Sequence, residues 1–400
     1  MNAFDRDLAG RLDALRAAGL HRQLRRVDSA PGARLEVGGR KLLNFSSNDY
    51  LGLATHPALR AAAMRAIERF GAGSTASRLL GGSLAPHHEL EEALAAFKGT
   101  EAALTFSSGY ATALGTIPAL LEREDVVVLD RLAHACLVDA ARLSGAKLRV
   151  FAHNDLNELE DILRWAASRP PTGSRPARVL IVTESVFSMD GDGAPLRELV
   201  ELKERYGAWL LVDEAHATGV CGPDGRGRAA ELGLTGRIEV HMGTLGKALG
   251  ASGGFICGSR TLIEYLVNRA RSFIFSTAPP PAAASAALAA LQLLQSEEGR
   301  ARRERLQANI GRLQAAPLPG LRVESAIVPW ILGEEARAVA AAEHLRERGI
   351  FVPAIRYPTV ARGAARLRIS LSAAHRGEDL DALVAAVAEW LATQTQPKRA

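Results

Sequence analysis

Short apolar runs alternating with helix-period stretches fill the middle of the chain. Val126-Val127-Val128-Leu129 and Val179-Leu180-Ile181-Val182 are unbroken apolar runs, the pattern of strands buried on both faces. Further strand-like runs fall at 101–106, 147–151, 208–213, 238–243 and 253–257, with helical stretches between them. Strand and helix in alternation require crossover connections. The pattern therefore predicts an α/β fold with a mostly parallel central sheet flanked by helices.

The two ends read differently. Leu8, Leu12 and Leu15 lie on one stripe, which predicts a helix over 3–19. Gly38-Gly39 is a turn between strands at 34–37 and 41–45, and helices are expected at 57–70 and 87–98. Pro279-Pro280-Pro281 breaks the chain before a long helical region, 282–316. Strands at 321–332, 351–355 and 365–371, with helices at 335–349 and 377–393, predict a smaller α+β domain. The expected divisions are an N-terminal segment 1–50, a large domain 51–280 and a small C-terminal domain 281–400. The Pro, Ser and Gly residues of 168–176 read as a surface loop.

With 48% hydrophobic and 23% charged residues over 400 positions, the chain can bury a core without disulfide staples. Its three cysteines, Cys136, Cys221 and Cys257, include no C-x-x-C pair, which argues against a zinc ribbon, a thioredoxin-type motif and a disulfide scaffold, and no metal site is expected. The net charge of +5 is spread along the chain, and its densest run, Arg302-Arg303-Glu304-Arg305, contains an acid. That pattern suits an acidic partner better than nucleic acid. No apolar signal segment opens the chain, and no stretch reaches the roughly 18 uninterrupted apolar residues of a membrane span. The expected compartment is the cytoplasm.

Four strand ends carry candidate chemistry, since ligands gather at the carboxyl ends of parallel strands. Thr105-Phe106-Ser107-Ser108-Gly109-Tyr110 runs from strand to helix through small residues, either as a phosphate cradle or as an ordinary capped helix. Asp213 ends the apolar run Leu210-Leu211-Val212, where a carboxylate needs a cationic partner, and His216 follows three residues on. A strand-end Asp that caps the next loop is the alternative. Lys247, within His241-Met242-Gly243-Thr244-Leu245-Gly246-Lys247, is the single lysine between Val240 and Ser259. Desolvation there favours a neutral amine suited to covalent catalysis, unless the residue is a surface lysine between glycine turns. Ser188, in Glu184-Ser185-Val186-Phe187-Ser188-Met189-Asp190-Gly191, is a possible donor or part of a plain turn.

Together the four are more specific than any one. A phosphate cradle, a buried aspartate and a desolvated lysine are the parts that hold pyridoxal 5'-phosphate. Asp213-Glu214-Ala215-His216 also mimics a motif of nucleic-acid-dependent ATPases. That reading requires an upstream G-x-x-x-x-G-K-[ST] loop, and Gly246-Lys247 lies downstream and is followed by Ala248.

The sequence resembles the α-oxoamine synthases, fold-type I pyridoxal-phosphate enzymes, nearly end to end. The matching blocks are Asn44–Leu53, Thr183–Gly191, Val212–Gly219 and Thr244–Lys247. Phe151–Asp155, Ala354–Val360 and Arg366–Arg368 point, within the family, to the branch that joins L-alanine to a pimeloyl thioester rather than to members using glycine or serine. Ser74–Arg78 has fewer glycines than the usual family run, and Tyr357 stands where a second proline is common.

The resemblance implies that Lys247 bonds the cofactor and then serves as the Cα base. Asp213 would pair with the ring nitrogen, and His216 and Ser188 would bond its phenolic oxygen. His134 would stack on the ring and meet the amino acid. Gly109, Tyr110 and Thr244 would lie at the cofactor, while Ser276 and Thr277 would reach the phosphate of the neighbouring subunit in a homodimer. Arg368 would hold the amino-acid carboxylate, and Arg22 and Thr359 would contact the acyl substrate. The acyl carrier would be coenzyme A or an acyl carrier protein.

Overall fold

A computed structural model describes residues 1–170 and 175–395. Pro171–Ser174, within the expected 168–176 loop, lie outside the described residues. The chain divides into two compact units. One comprises Asn48–Ser188 and Asp192–Arg305; the other comprises Met1–Ser47, Met189–Gly191 and Leu306–Ala400.

The first unit is built on a seven-stranded sheet. Its spatial order is Ala102–Phe106, Gly254–Gly258, Val240–Thr244, Trp209–Asp213, Val179–Glu184, Val126–Asp130 and Lys147–Phe151. All neighbours are parallel except at Gly254–Gly258, which runs antiparallel to both strands beside it. Side-chain alternation builds a core on each face. Val127, Leu129, Leu180, Val182 and Leu211 pack with Ile117, Leu137 and Ala140 from the helices Gly109–Leu120 and Ala135–Ser144. Val126, Val128, Ile181, Leu210 and Val212 pack with Leu159, Leu163 and Leu199 from the helices Leu156–Ala167 and Leu196–Arg205. This double burial is why those strands read as unbroken apolar runs.

The unit continues past the proline break. Helix Pro281–Leu294 packs against the helices Pro57–Phe70 and Ala85–Lys98. The long helical region at 282–316 is two helices, Pro281–Leu294 and Glu297–Gln314. Ser296 separates them: its hydroxyl donates to the Leu293 carbonyl at 2.6 Å and accepts the Gly299 amide at 3.3 Å.

The second unit holds two three-stranded sheets. Arg34–Val37, Arg40–Asn44 and Ile350–Phe351 form one, and Ile327–Gly333, Ala365–Ser370 and Ala354–Ile355 the other. The expected strand at 351–355 is therefore two short pieces serving different sheets. Pro353, which has no N–H to donate, lies between them.

Candidate active site

The carboxyl edge of the sheet brings the chemistry together. Glu184, Asp213 and Thr244 end neighbouring strands, and Gly254 begins the antiparallel strand opposite Thr244. Lys247 sits in the loop between Thr244 and Gly254. The loop is closed by the Leu245 amide on Gly253 O at 2.9 Å and the Gly250 amide on Lys247 O at 2.8 Å. Gly250 has φ +62°, and a Cβ there would meet the Ala54 nitrogen at 2.5 Å, so glycine is required.

Lys247 Nζ lies 2.8 Å from His216 Nε2, and His216 Nδ1 lies 2.6 Å from the Tyr50 hydroxyl. One consistent proton arrangement has Lys247 donating to Nε2, Nδ1–H donating to Tyr50, and the Tyr50 hydroxyl donating to Asn48 Oδ1 at 3.2 Å. Asp213 is 4% exposed, and its Oδ1 accepts the Ala215 amide at 2.9 Å. Burial pushes its pKa up, against the opposing charge of Lys247. Burial, with the Lys247 charge, holds His134 below the ordinary imidazole range, so this ring is neutral near pH 7. His134 caps the helix Ala135–Ser144, its Nδ1 accepting the Cys136 amide at 3.2 Å.

Two residues given no role from the sequence complete the cluster. The Glu184 carboxylate accepts the His134 amide at 2.7 Å and the Ser188 amide. Burial and the charge of Asp213 push its pKa up to about 8. Glu184 ends an apolar strand as Asp213 does, and that shared position was the available signal. Tyr50, the other, lies in a family block but has no charge or spacing that marks it.

At the neighbouring strand end, the helix Gly109–Leu120 is capped by Ser108, whose Oγ accepts the Ala111 amide at 3.1 Å. A Cβ on Gly109 would stand 3.7 Å from that of Thr244, while a Cβ on Gly254 would meet Gly109 N at 2.8 Å and Thr112 Oγ1 at 2.4 Å. The start of this helix and Thr244, whose hydroxyl donates to Gly253 O at 3.0 Å, thus lie together as a candidate anion cradle. The Tyr110 ring is 45% exposed, and its hydroxyl donates to Asp139 Oδ2 at 2.5 Å. An amine beside an imidazole, a buried carboxylate and this cradle fit the aldehyde, ring nitrogen and phosphate of pyridoxal phosphate.

Ser276 and Thr277 are pinned elsewhere in the same unit. Thr277 bridges to Ser77, the Ala278 amide donates to Ala76 O at 3.0 Å, and Ser276 Oγ donates to Thr277 O at 3.1 Å. In the other unit, Arg368 is 8% exposed and donates to Ser370 Oγ at 2.7 Å. Arg22 donates to Thr359 Oγ1 at 3.3 Å in a cleft of about 750 Å³ that Arg25, Arg346 and Arg356 also line.

Comparison with known proteins agrees with this chemistry. Residues 40–387 match the family model for aminotransferase class I and II. An 8-amino-7-oxononanoate synthase of Anaeromyxobacter dehalogenans (strain 2CP-1) is 53% identical over 389 residues, 96% of this chain and 95% of the relative. That of Geobacter sulfurreducens is 50% identical over 387 residues, 96% and 97% of the two chains. A serine palmitoyltransferase from S. paucimobilis, with a bound pyridoxal phosphate–myriocin aldimine, superposes with a TM-score of 0.89 at 30% identity, covering 98% of this chain and 99% of its own. The fold is that of the fold-type I enzymes, and the chain belongs to the class I and II aminotransferase family and, within it, to the 8-amino-7-oxononanoate synthases, pyridoxal-phosphate-dependent acyltransferases of biotin biosynthesis.

Proposed function

We propose that the Lys247 cluster carries a decarboxylative condensation of L-alanine with a pimeloyl thioester, giving 8-amino-7-oxononanoate, carbon dioxide and the free thiol carrier. The observation that carries this reading is the Lys247 amine held 2.8 Å from His216 beside the buried Asp213. Bound pyridoxal phosphate supplies a carbonyl for covalent capture of the amino acid and a sink for the electrons released at its Cα.

The residues divide the remaining work. Lys247 would hold the cofactor and, once the amino acid has taken its place, would take the Cα proton. Asp213 would keep the ring nitrogen protonated, because an ionised carboxylate in this interior needs a cation. His216 and Ser188 would hold the phenolic oxygen, and Gly109, Tyr110 and Thr244 the phosphate side. His134 would pack against the ring and orient the amino acid. Arg368 is assigned to the alanine carboxylate. Arg22 and Thr359 are assigned to the acyl substrate, in a cleft whose arginines suit its anionic groups.

The working form is a homodimer in the cytoplasm, in which Ser276 and Thr277 reach the neighbouring subunit's phosphate. Among the described residues no helix is long and apolar enough to cross a membrane. The carrier is coenzyme A or an acyl carrier protein, and the net charge of +5 suits an acidic one.

The test is a mass-spectrometric product assay with alanine, glycine and serine, each against pimeloyl, acetyl, succinyl and palmitoyl thioesters. Product from alanine and pimeloyl thioester, dependent on added cofactor, is expected. A preference for glycine or serine would place the chain among the other α-oxoamine synthases instead. Lys247→Ala should abolish both turnover and the visible absorbance of the bound cofactor.

A further inference from the structure

Glu214 directly follows Asp213, yet its carboxylate meets a separate set of partners. Lys98, the last residue of the helix Ala85–Lys98, places Nζ 2.5 Å from Glu214 Oε2; the two side chains are 2% and 1% exposed. The same ammonium donates to Arg226 O at 2.5 Å and Thr218 Oγ1 at 3.5 Å. Glu214 Oε1 accepts the Ala229 amide at 2.9 Å, and the Glu214 amide donates to Met242 O at 2.8 Å. His241 Nδ1 lies 3.9 Å from Oε2.

These contacts make Glu214 the anchor of the turn that presents the site. Its carbonyl accepts the Ala217 and Thr218 amides at 3.0 and 2.8 Å, so the segment carrying His216 folds back on Glu214. Gly227, with φ +115°, lets the opposite turn close over the carboxylate; a Cβ there would meet Oε1 at 2.5 Å. Three elements thus converge on one charge behind the catalytic edge: a helix end, a strand exit and the turn at 225–229. A buried glutamate requires such a counter-ion, and removing one partner alone leaves the other charge stranded.

We infer that Lys98, through its ion pair with Glu214, is a positioning residue for the reaction: it fixes the exit of the strand Trp209–Asp213 and so the direction in which Asp213 and His216 face the cofactor. The inference rests on the roles assigned above to Asp213 and His216. A burial-only role predicts that any well-packed replacement suffices. A positioning role predicts that restoring stability does not restore function.

The test is the double variant Lys98→Met/Glu214→Leu, which removes both charges together and is expected to keep a folded protein, at a Tm lowered by the loss of partners for Arg226 O and the Ala229 amide. Its affinity for pyridoxal phosphate, read from the visible absorbance, should fall roughly tenfold or more. Its kcat should fall about 10- to 100-fold while KM for alanine moves about threefold or less, as for misplaced catalytic groups. A folded double variant with cofactor affinity and kcat within about twofold of the parent would overturn the inference. If the double variant does not fold, Glu214→Gln, which keeps the shape and the acceptor for Ala229, is read by the same criteria. Lys247→Ala is run alongside. Loss of its visible band with normal Lys98 and Glu214 variants sinks the positioning role alone, whereas a retained band sinks the assigned site and this inference with it.

Discussion

Glu184 and Asp213 are register partners on neighbouring parallel strands, so two carboxyl groups end side by side in the interior. Burial pushes both pKa values up, Glu184 to about 8, and the Lys247 charge opposes the rise at each. Glu184 thus keeps its proton to high pH while bracing His134, whose amide it accepts at 2.7 Å; Asp213 lies against the Lys247 charge.

That division predicts a pH signature for Glu184→Gln. The folded pKa lies above the unfolded value of about 4.3, so the stabilising contribution is full below that value and is lost as pH rises through about 8. Glutamine imitates the protonated acid and still accepts the His134 amide. In urea titrations of cofactor-free protein, the parent should lose stability relative to the variant between pH 5 and 8. Parallel curves across that window would show that Glu184 is ionised throughout.

Tyr50 gives a second handle. Its hydroxyl is 2.6 Å from His216 Nδ1, on the side of the ring away from Lys247. Tyr50→Phe keeps the buried ring and removes this hydrogen bond, which should cost about 1–3 kcal/mol of stability. It should also lower kcat about tenfold or more with little change in the acyl-substrate KM, because the hydrogen bond that orients the His216 ring toward Lys247 is lost. Steady-state kinetics with a thermal melt separates the two effects.

The strands and the two principal polar groups were legible because each breaks a simple pattern. Val126–Leu129 reads as doubly buried, and Asp213 and Lys247 stand out as charges against apolar or small neighbours. Orientation was not legible. The strand Gly254–Gly258 is fully buried like the central parallel strands, and the short return loop from Thr244 makes it antiparallel to both strands beside it. The short strands at 350–351 and 354–355 were read as one because Pro353 signals an interruption without saying that the chain changes sheet. Glu184 and Tyr50 gained roles only from neighbours distant in sequence: Asp213 across the sheet and His216 across the site. Lys98 is likewise an ordinary helix-end lysine until Glu214 is placed against it.

The anion cradle can be tested by filling it. Gly254→Ala would put a methyl 2.4 Å from Thr112 Oγ1 and 2.8 Å from Gly109 N, forcing the start of the helix Gly109–Leu120 outward. Overpacking of this kind costs about 1–3 kcal/mol. The larger expected effect is on pyridoxal phosphate, whose dissociation constant should rise about tenfold or more as the helix amides shift. Gly236→Ala, whose methyl would meet nothing within 4 Å, is the control and should leave both unchanged. Equal cofactor affinity in the two variants would place the phosphate elsewhere.

His153 supplies the last expectation. Its Nδ1 is 3.0 Å from Asp130 Oδ1 and its Nε2 is 2.8 Å from Asp192 Oδ2, so only the doubly protonated ring satisfies both carboxylates. Burial alone would lower its pKa, but the two hydrogen-bonded carboxylates raise it to about 10. The ring also stands edge-on to Phe187, 4.4 Å between centroids, one residue before Ser188. Since the folded pKa exceeds the ordinary value of about 6.5, the stabilisation is complete below that pH and is lost as pH rises through about 10. His153→Gln keeps one amide nitrogen as donor and removes the cation from between both carboxylates. It should lower stability near pH 6 by roughly 2–3 kcal/mol, less than a fully enclosed pair because the ring is 23% exposed. The deficit should shrink as pH approaches 10, where the parent ring releases its proton and leaves the same two carboxylates in repulsion. A deficit that stays constant from pH 6 to 10 would mean that His153 acts by packing against Phe187 and not by its charge.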